Sequence, residues 1–328
     1  MTAAAILGLA GPELTPAERD FFRAADPWGF ILFGRNIDRP EQLRRLTADL
    51  RDAVGRDAVI TIDQEGGRVQ RLRAPSWSEW VPPLEDAARG AEAMRLRYRL
   101  IGQELRAVGI DSNCAPVLDI ASDETHPFLQ NRCLGRDADQ VARLGRAAAE
   151  GMLAAGVLPV IKHIPGHGRA RADSHMETPQ VAASHAALAA HDFAPFRALN
   201  DMPMAMSAHI RFSLLDDRPA TVSPVLIGLI RDEIGFDGLL MTDDISMNGL
   251  TGTLAERSAA AIAAGCDLVL HCNGEMAGME EVVAHAGALT GAAAARAGRA
   301  LEWRRPPDGV PAADLWAEYH ALGGAAPA

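Results

Sequence analysis

The 328-residue sequence predicts an α/β protein, a single TIM-type (β/α)8 barrel with a short C-terminal helical tail. Eight short runs typical of β-strands alternate along the chain with segments whose apolar residues repeat at helical spacing. Several of these runs are almost continuously apolar, as parallel strands are when both of their faces are buried. A doubly wound open sheet is the second choice.

The predicted strands cover residues 3–9, 29–33, 58–63, 112–119, 158–163, 202–209, 238–243 and 266–271. The helical segments between them include residues 40–54, 91–108, 138–155, 184–200 and 253–264. Thr15-Pro-Ala-Glu18 has the pattern of a capping box with proline at the first helical position. Gly109 and Gly156 stand where two of the helices should end.

The chain is expected to divide at the Pro-rich stretch that begins at residue 306. Residues 1–305 would form the barrel, which is the catalytic domain if the protein is an enzyme. Residues 306–328 would form a linker and a peripheral tail with one short helix.

Composition narrows the class of protein. Hydrophobic residues make up 48% and charged residues 23%, as in an ordinary globular domain. The formal net charge of −11 makes nucleic acid and anionic membranes poor partners. No apolar stretch approaches the roughly 20 residues of a membrane span. The apolar run 3–10 has no basic residue before it, so it is interpreted as the first strand rather than a signal peptide.

The four cysteines form no CxxC pair and no ligand-like cluster. Cys266 and Cys272 lie at the two ends of one predicted strand, roughly 20 Å apart and too far for a disulfide with each other. A reducing compartment, the cytoplasm, is therefore expected. We also expect a monomer that needs no cofactor and no metal.

Ionisable residues concentrate at the predicted carboxyl ends of the strands, where (β/α)8 barrels carry their active sites. The strand-end residues are Asp63, Asp119, Lys162, His163, His209, Asp243 and Asp244. Any one of them could instead cap a helix or lie satisfied in the core. Five strand ends of this kind at one rim predict an active site there.

The stretch from Lys162 to His175 is the most unusual in the sequence. Its proline and glycines break any helix, so His163 and His167 are not a helical metal pair. The chain also has no HExxH, no phosphate-binding glycine motif and no GxSxG. In this glycine-hinged loop, Asp173 could fix the tautomer of His175 and raise its basicity. A solvated loop is the alternative.

Asp243 and Asp244 end the seventh predicted strand. Because successive strand side chains point to opposite faces, only one of the two should face the barrel axis. That carboxylate is a candidate nucleophile. Together with a mobile acid/base it would make the double-displacement arrangement of a retaining glycosidase, in which a glycosyl ester forms and is then hydrolysed.

These motifs resemble glycoside hydrolase family 3, in particular its single-domain bacterial β-N-acetylhexosaminidases. The matching stretches span most of the barrel in the family's order: Gly29-Phe-Ile-Leu-Phe-Gly34, Ile62-Asp-Gln-Glu-Gly-Gly-Arg-Val-Gln-Arg71, Pro116-Val-Leu-Asp119, Lys162-His-Ile-Pro-Gly-His-Gly168, Asp173-Ser-His175 and Thr242-Asp-Asp-Ile-Ser-Met247. The Lys-His-x-Pro-Gly-His-Gly loop followed by Asp-Ser-His is highly specific. Ile164 stands where family members usually have Phe.

The resemblance implies that Asp243 is the nucleophile and that His175 is the acid/base, with Asp173 as its partner. It also implies a set of residues that hold the non-reducing N-acetylglucosamine: Asp63, Arg71, Arg132, Lys162 and His163. The implied substrate is an amino-sugar muropeptide, N-acetylglucosaminyl-β-1,4-anhydro-N-acetylmuramic acid, cleaved during peptidoglycan recycling. No residue in the sequence demonstrates that substrate.

Three alternative hypotheses for the function of these residues remain. Lys162 ends a barrel strand, as the lysine of a Schiff-base aldolase often does. The chain could also be a catalytically silent sugar-binding protein. A metal enzyme would use His163, His167 and His175.

Overall fold

The apolar runs become eight parallel strands around a barrel in the computed structural model, which describes residues 1–172 and 177–323. The barrel strands, first to eighth in chain order, are Ala3–Leu7, Pro27–Leu32, Val59–Ile62, Ser112–Asn113, Leu158–Ile164, Met204–Ser207, Leu239–Asp244 and Leu268–His271. Along the ladder the order is third, second, first, eighth, seventh, sixth, fifth and fourth. The predicted (β/α)8 fold is therefore confirmed.

Backbone hydrogen bonds close the barrel between the third and fourth strands. The N–H of Asp111 donates to the carbonyl of Ile60 (3.1 Å), and that of Cys114 donates to the carbonyl of Ile62 (2.8 Å). The fourth strand is much shorter than the predicted residues 112–119 because Pro116 has no N–H to donate to a ladder. The chain nevertheless stays beside the fifth strand, since Leu118 N donates to Lys162 O.

Helices cover the outside of the barrel. They are Pro16–Ala25, Pro40–Val54, Pro83–Ala87, Ala91–Ala107, Pro127–Gln130, Ala138–Ala154, His185–Ala190, Ala194–Ala198, Pro224–Asp232, Leu254–Ala264, Met276–Ala286, Gly291–Glu302 and Ala312–Ala321. The predicted capping box is present, with the side chain of Thr15 accepting from Glu18 N. The prediction of one continuous helix over residues 184–200 is wrong. Pro195 has no N–H to donate to the carbonyl of His191, and two short helices form instead, the first ending at Ala190 and the second beginning at Ala194.

Two contacts outside the barrel were not predicted. Gln180–Val181 pairs in parallel with Arg211–Phe212, which ties the loop after the fifth strand to the loop after the sixth. The C-terminal helix Ala312–Ala321 packs on the barrel domain through Trp316, whose ring stacks on Trp80 with centroids 5.2 Å apart. The division of the chain at residue 305 stays a prediction. No helix in the described part of the chain is long and apolar enough to cross a membrane.

Candidate active site

A cavity of about 300 Å³ opens at the carboxyl ends of the barrel strands. Its charged and imidazole lining consists of Asp63, Arg68, Arg71, Arg132, Lys162, His163, His167, Asp243 and Asp244. The structure thus brings together all of the predicted site residues that it describes. Asp173 and His175 lie outside the described residues.

The end of the third strand places Asp63 and Arg71 side by side. The amide oxygen of Gln64 accepts hydrogen bonds from Arg71 N (2.8 Å) and Leu72 N (3.0 Å), which folds the following loop back towards the strand. The guanidinium of Arg71 then lies 3.2 Å from the Asp63 carboxylate and 5.2 Å from the ring centroid of Phe33. A carboxylate and a cation therefore face the same cavity.

A buried ionic network connects the third strand, the fifth strand and Arg132. Lys162 Nζ lies 2.9 Å from Asp63 Oδ1 and 2.6 Å from Glu65 Oε1. Arg132 donates twice to Glu65, from Nε and Nη2, each at 2.8 Å. Paired donors of this kind are among the stronger hydrogen bonds in proteins.

Each member of this network is held in its charged form. Burial favours the neutral acid of Asp63, but Lys162 and Arg71 outweigh it and hold the pKa of Asp63 well below its ordinary value. Arg132 and Lys162 likewise outweigh burial and lower the pKa of Glu65. In turn, the two carboxylates overcome the burial of Lys162 and raise the pKa of its amine. An aldolase lysine must be neutral to attack a carbonyl, so this environment disfavours the Schiff-base alternative.

Sequence reasoning missed Glu65, although it lies within a stretch that resembles the family. Its side chain is fully buried and joins Arg132 to Lys162. A signal was present, because Arg71, Arg132 and Lys162 had all been assigned to one pocket. Buried charges need partners of opposite sign, so three cations beside Asp63 predicted a further carboxylate in the pocket.

Asp119 and His209, two of the polar strand-end residues, support the cavity without lining it. Asp119 Oδ2 lies 2.6 Å from His163 Nδ1, and Oδ1 accepts from the backbone N–H of His167 (2.6 Å). Burial opposes ionisation of Asp119, but His163 outweighs it and lowers the pKa. An ionised carboxylate only accepts, so His163 donates through Nδ1 and its tautomer is fixed. His209 is buried and joins Thr221 Oγ1 (2.8 Å) to the carbonyl of Asp244 (3.0 Å).

Both Asp243 and Asp244 border the cavity, whereas strand alternation predicted that only one of them would face the barrel axis. The pairing with the eighth strand shifts register between Met241 and Asp244, which adds one residue and interrupts the alternation of side chains. The fifth strand shifts register in the same way between Lys162 and Ile164. Lys162 and His163 accordingly also both line the cavity.

Hydrogen bonding distinguishes the two aspartates. Asp244 accepts from Ser246 Oγ (2.7 Å) and Cys272 N (3.2 Å), so its carboxylate is committed to neighbouring loops. Asp243 accepts the backbone N–H of Asp244 at 2.8 Å. Burial raises the pKa of Asp243, but His163, His209 and that N–H outweigh it and lower the pKa overall. Asp243 is therefore an ionised carboxylate facing the cavity, as a nucleophile must be.

The chain is anchored on both sides of the Asp173–His175 segment. The carbonyl of Gly168 accepts from Thr125 Oγ1 (2.6 Å), and Thr178 Oγ1 donates to the carbonyl of Gly249 (2.8 Å). Within the described residues, no group of three or more His, Cys, Asp or Glu side chains could hold a metal ion. The His163, His167 and His175 combination falls partly outside that range.

Comparisons with known proteins agree on one family. The sequence profile of the glycosyl hydrolase family 3 N-terminal domain matches residues 24–299. A β-hexosaminidase of Methylococcus capsulatus is 38% identical over 275 residues, which is 81% of each chain. The crystal structure of native NagZ from Neisseria gonorrhoeae superimposes with a TM-score of 0.84 and 28% identity, covering 98% of this chain and 96% of that one. The same NagZ has also been crystallised with N-trifluoroacetyl-D-glucosamine.

The matched segment contains the second to eighth barrel strands and every charged residue of the cavity lining. The chain therefore belongs to glycosyl hydrolase family 3, and the protein is a glycoside hydrolase.

Proposed function

We propose that the protein is a retaining β-N-acetylglucosaminidase that removes the terminal non-reducing N-acetylglucosamine from β-glycosides. The observation that carries this proposal is the ionised Asp243 carboxylate in a small cavity shared with Asp63, Arg71 and Lys162. Similar proteins support the sugar class, since a relative is a β-hexosaminidase and NagZ forms a complex with an N-acylated glucosamine.

The proposed sugar site uses the predicted residues as donors and acceptors. Asp63 can accept hydrogen bonds from two sugar hydroxyls, while Arg71, Arg132 and Lys162 supply donors. His163, whose Nδ1–H is used by Asp119, offers Nε2 as an acceptor. A cavity of about 300 Å³ lies at the small end of the range for ligand sites. Its size suits one sugar ring, which favours an enzyme that works from the chain end.

The proposed reaction has two steps. In the first, His175 gives a proton to the glycosidic oxygen while the bond from that oxygen to C1 breaks and an Asp243 oxygen bonds to C1. In the second, His175 takes a proton from water, the water oxygen bonds to C1, and Asp243 leaves as a carboxylate. Because the configuration at C1 is inverted once in each step, the released sugar is again the β anomer. The roles of His175 and its partner Asp173 rest on the family resemblance.

For the full substrate we propose N-acetylglucosaminyl-β-1,4-anhydro-N-acetylmuramic acid, with or without peptide. Cleavage would take place in the cytoplasm during peptidoglycan recycling, by a monomer without a cofactor. The four cysteines are free thiols, which agrees with a reducing compartment.

The experiment that tests the reaction is trapping with a 5-fluoro N-acetylglucosaminyl donor, followed by mass spectrometry of peptides. We expect the sugar on the peptide that contains Asp243, no label in Asp243→Ala, and a label retained in Asp244→Asn. NMR of the first product should show the β anomer. A label on another residue or an α product would contradict the mechanism, and absence of turnover on a chromogenic β-N-acetylglucosaminide would indicate a silent sugar-binding protein.

The role of His175 is tested by leaving-group dependence. Protonation matters most for poor leaving groups, so His175→Ala should lose about 100-fold or more on alkyl glycosides and much less on dinitrophenyl glycosides. An equal loss on both kinds of substrate would indicate a binding role instead.

A further inference from the structure

Arg68 differs from the other cations that line the cavity. Arg71 is paired with Asp63, and Arg132 and Lys162 share Glu65. Arg68 is exposed, and it makes no ion pair or side-chain hydrogen bond with the residues that the structure describes. The cavity therefore has a guanidinium whose charge is not paired within residues 1–172 and 177–323.

The backbone beneath Arg68 is rigidly held. Gly66 and Val69 bond to each other in both directions around a two-residue turn, and Gly67 N donates to Trp80 O at 2.8 Å. Gly66 and Gly67 have φ of +106° and +59°. A Cβ on Gly66 would overlap Arg97 Nη2, and one on Gly67 would lie 3.0 Å from Pro82 Cα. The turn thus presents Arg68 at the cavity from a fixed backbone.

Arg68 is an exposed residue of the cavity lining, which places it where the cavity opens to solvent. The cavity has room for one ring, and the paired residues supply the donors and acceptors for its hydroxyls. The part of the substrate that extends beyond this ring towards solvent is the aglycone. A free guanidinium binds a carboxylate with two parallel hydrogen bonds, and it would offset locally the repulsion of an anion by a chain of net charge −11.

We propose that Arg68 binds a carboxylate on the aglycone and gives the enzyme a preference for anionic over neutral leaving groups. This inference rests on the proposed glycosidase function. The proposed muramic acid aglycone has such a carboxylate on its lactyl ether when no peptide is attached.

The test compares two substrates that differ in one charge: N-acetylglucosaminyl-anhydro-N-acetylmuramic acid and its lactyl methylamide. In the wild-type enzyme kcat/KM should be higher for the acid, and this preference should shrink as ionic strength rises. Arg68→Gln should lower the acid-to-amide ratio about tenfold, and Arg68→Lys should retain part of it. The matched control is Arg45→Gln, which removes an exposed arginine outside the cavity that has no ion pair in the described part of the chain, and it should leave the ratio unchanged.

The outcomes separate this inference from the proposed function. If the wild-type enzyme releases N-acetylglucosamine from both substrates but Arg68→Gln keeps the wild-type ratio, the inference is wrong and the proposed function stands. A fall in the ratio of equal size in Arg45→Gln would also overturn it, because long-range charge would then explain the preference. If the wild-type enzyme cleaves neither substrate, the proposed function and the inference fail together.

Discussion

Glu65 shows how one residue outside the predicted site can organise it. Its carboxylate holds Arg132 through two hydrogen bonds and Lys162 through an ion pair, and it has no solvent exposure. Lys162 also reaches Asp63, so the positions of these two cavity-lining cations depend on both carboxylates. Removing one partner of such a buried network leaves a charge without compensation.

Glu65→Gln should therefore lower the free energy of unfolding by about 3–5 kcal/mol and reduce kcat/KM on a neutral β-N-acetylglucosaminide. Denaturant unfolding and steady-state kinetics measure the two effects. Glu79→Gln is the control, since Glu79 pairs with Arg73 at the surface and should cost at most about 1 kcal/mol. Equal effects of the two substitutions would show that Glu65 does not organise the site.

At the scale of elements, the C-terminal helix Ala312–Ala321 is linked to the cavity by hydrogen bonds. Tyr319 Oη donates to Asp86 Oδ2 (2.7 Å), which also accepts from Arg97 Nη1 (2.8 Å). Arg97 Nη2 donates in turn to the backbone carbonyl of Glu65 at 2.9 Å. The tail helix thus supports the segment that carries Glu65 and Arg68.

Tyr319→Phe keeps the ring packed on Trp80 but removes one donor from the buried Asp86. We expect a loss of about 1–3 kcal/mol in the free energy of unfolding and a raised KM with a smaller change in kcat. The control is Glu318→Gln on the same helix, where the side chain is exposed. A KM in Tyr319→Phe that matches the control would mean that the helix stabilises the fold without positioning the site.

Element ends were harder to predict than element types. Apolar runs that alternate with helical segments along the sequence indicated the eight strands. The register shifts at His163 and Asp243, however, depend on how neighbouring strands pair. The break in the helix over residues 184–200 could have been predicted from Pro195, which has no N–H for a helical hydrogen bond. The two-residue pairing of 180–181 with 211–212 is too short to leave a sequence pattern.

For the whole molecule, stability should fall on acidification. Burial lowers the pKa of His167 from 6.5 to about 4, and burial also lowers the pKa of His209. An unfolded imidazole takes up a proton near its ordinary pKa of 6.5, while the folded one resists until about pH 4. The lost stability therefore accumulates as pH falls through that window. The lowered carboxyl pKa values of Asp119 and Asp243 add a further loss below about pH 4.

His167 alone should make the free energy of unfolding roughly 2 kcal/mol smaller at pH 5 than at pH 8. Urea unfolding at the two pH values measures this difference, and His167→Asn should show a smaller one. A wild-type protein that is equally stable at both pH values would contradict the burial of neutral imidazoles.

The sequence by itself determined the fold class and the set of polar strand ends, because apolar periodicity and the direction of parallel strands are local properties. Asp63, Lys162 and Asp243 could be assigned to one rim on that basis. The pairing of Glu65 with Arg132, of Asp119 with His163 and of Tyr319 with Asp86 was decided only by the tertiary structure. These partners lie far apart in the chain, and which buried charges meet depends on strand register and helix packing, which no local pattern encodes.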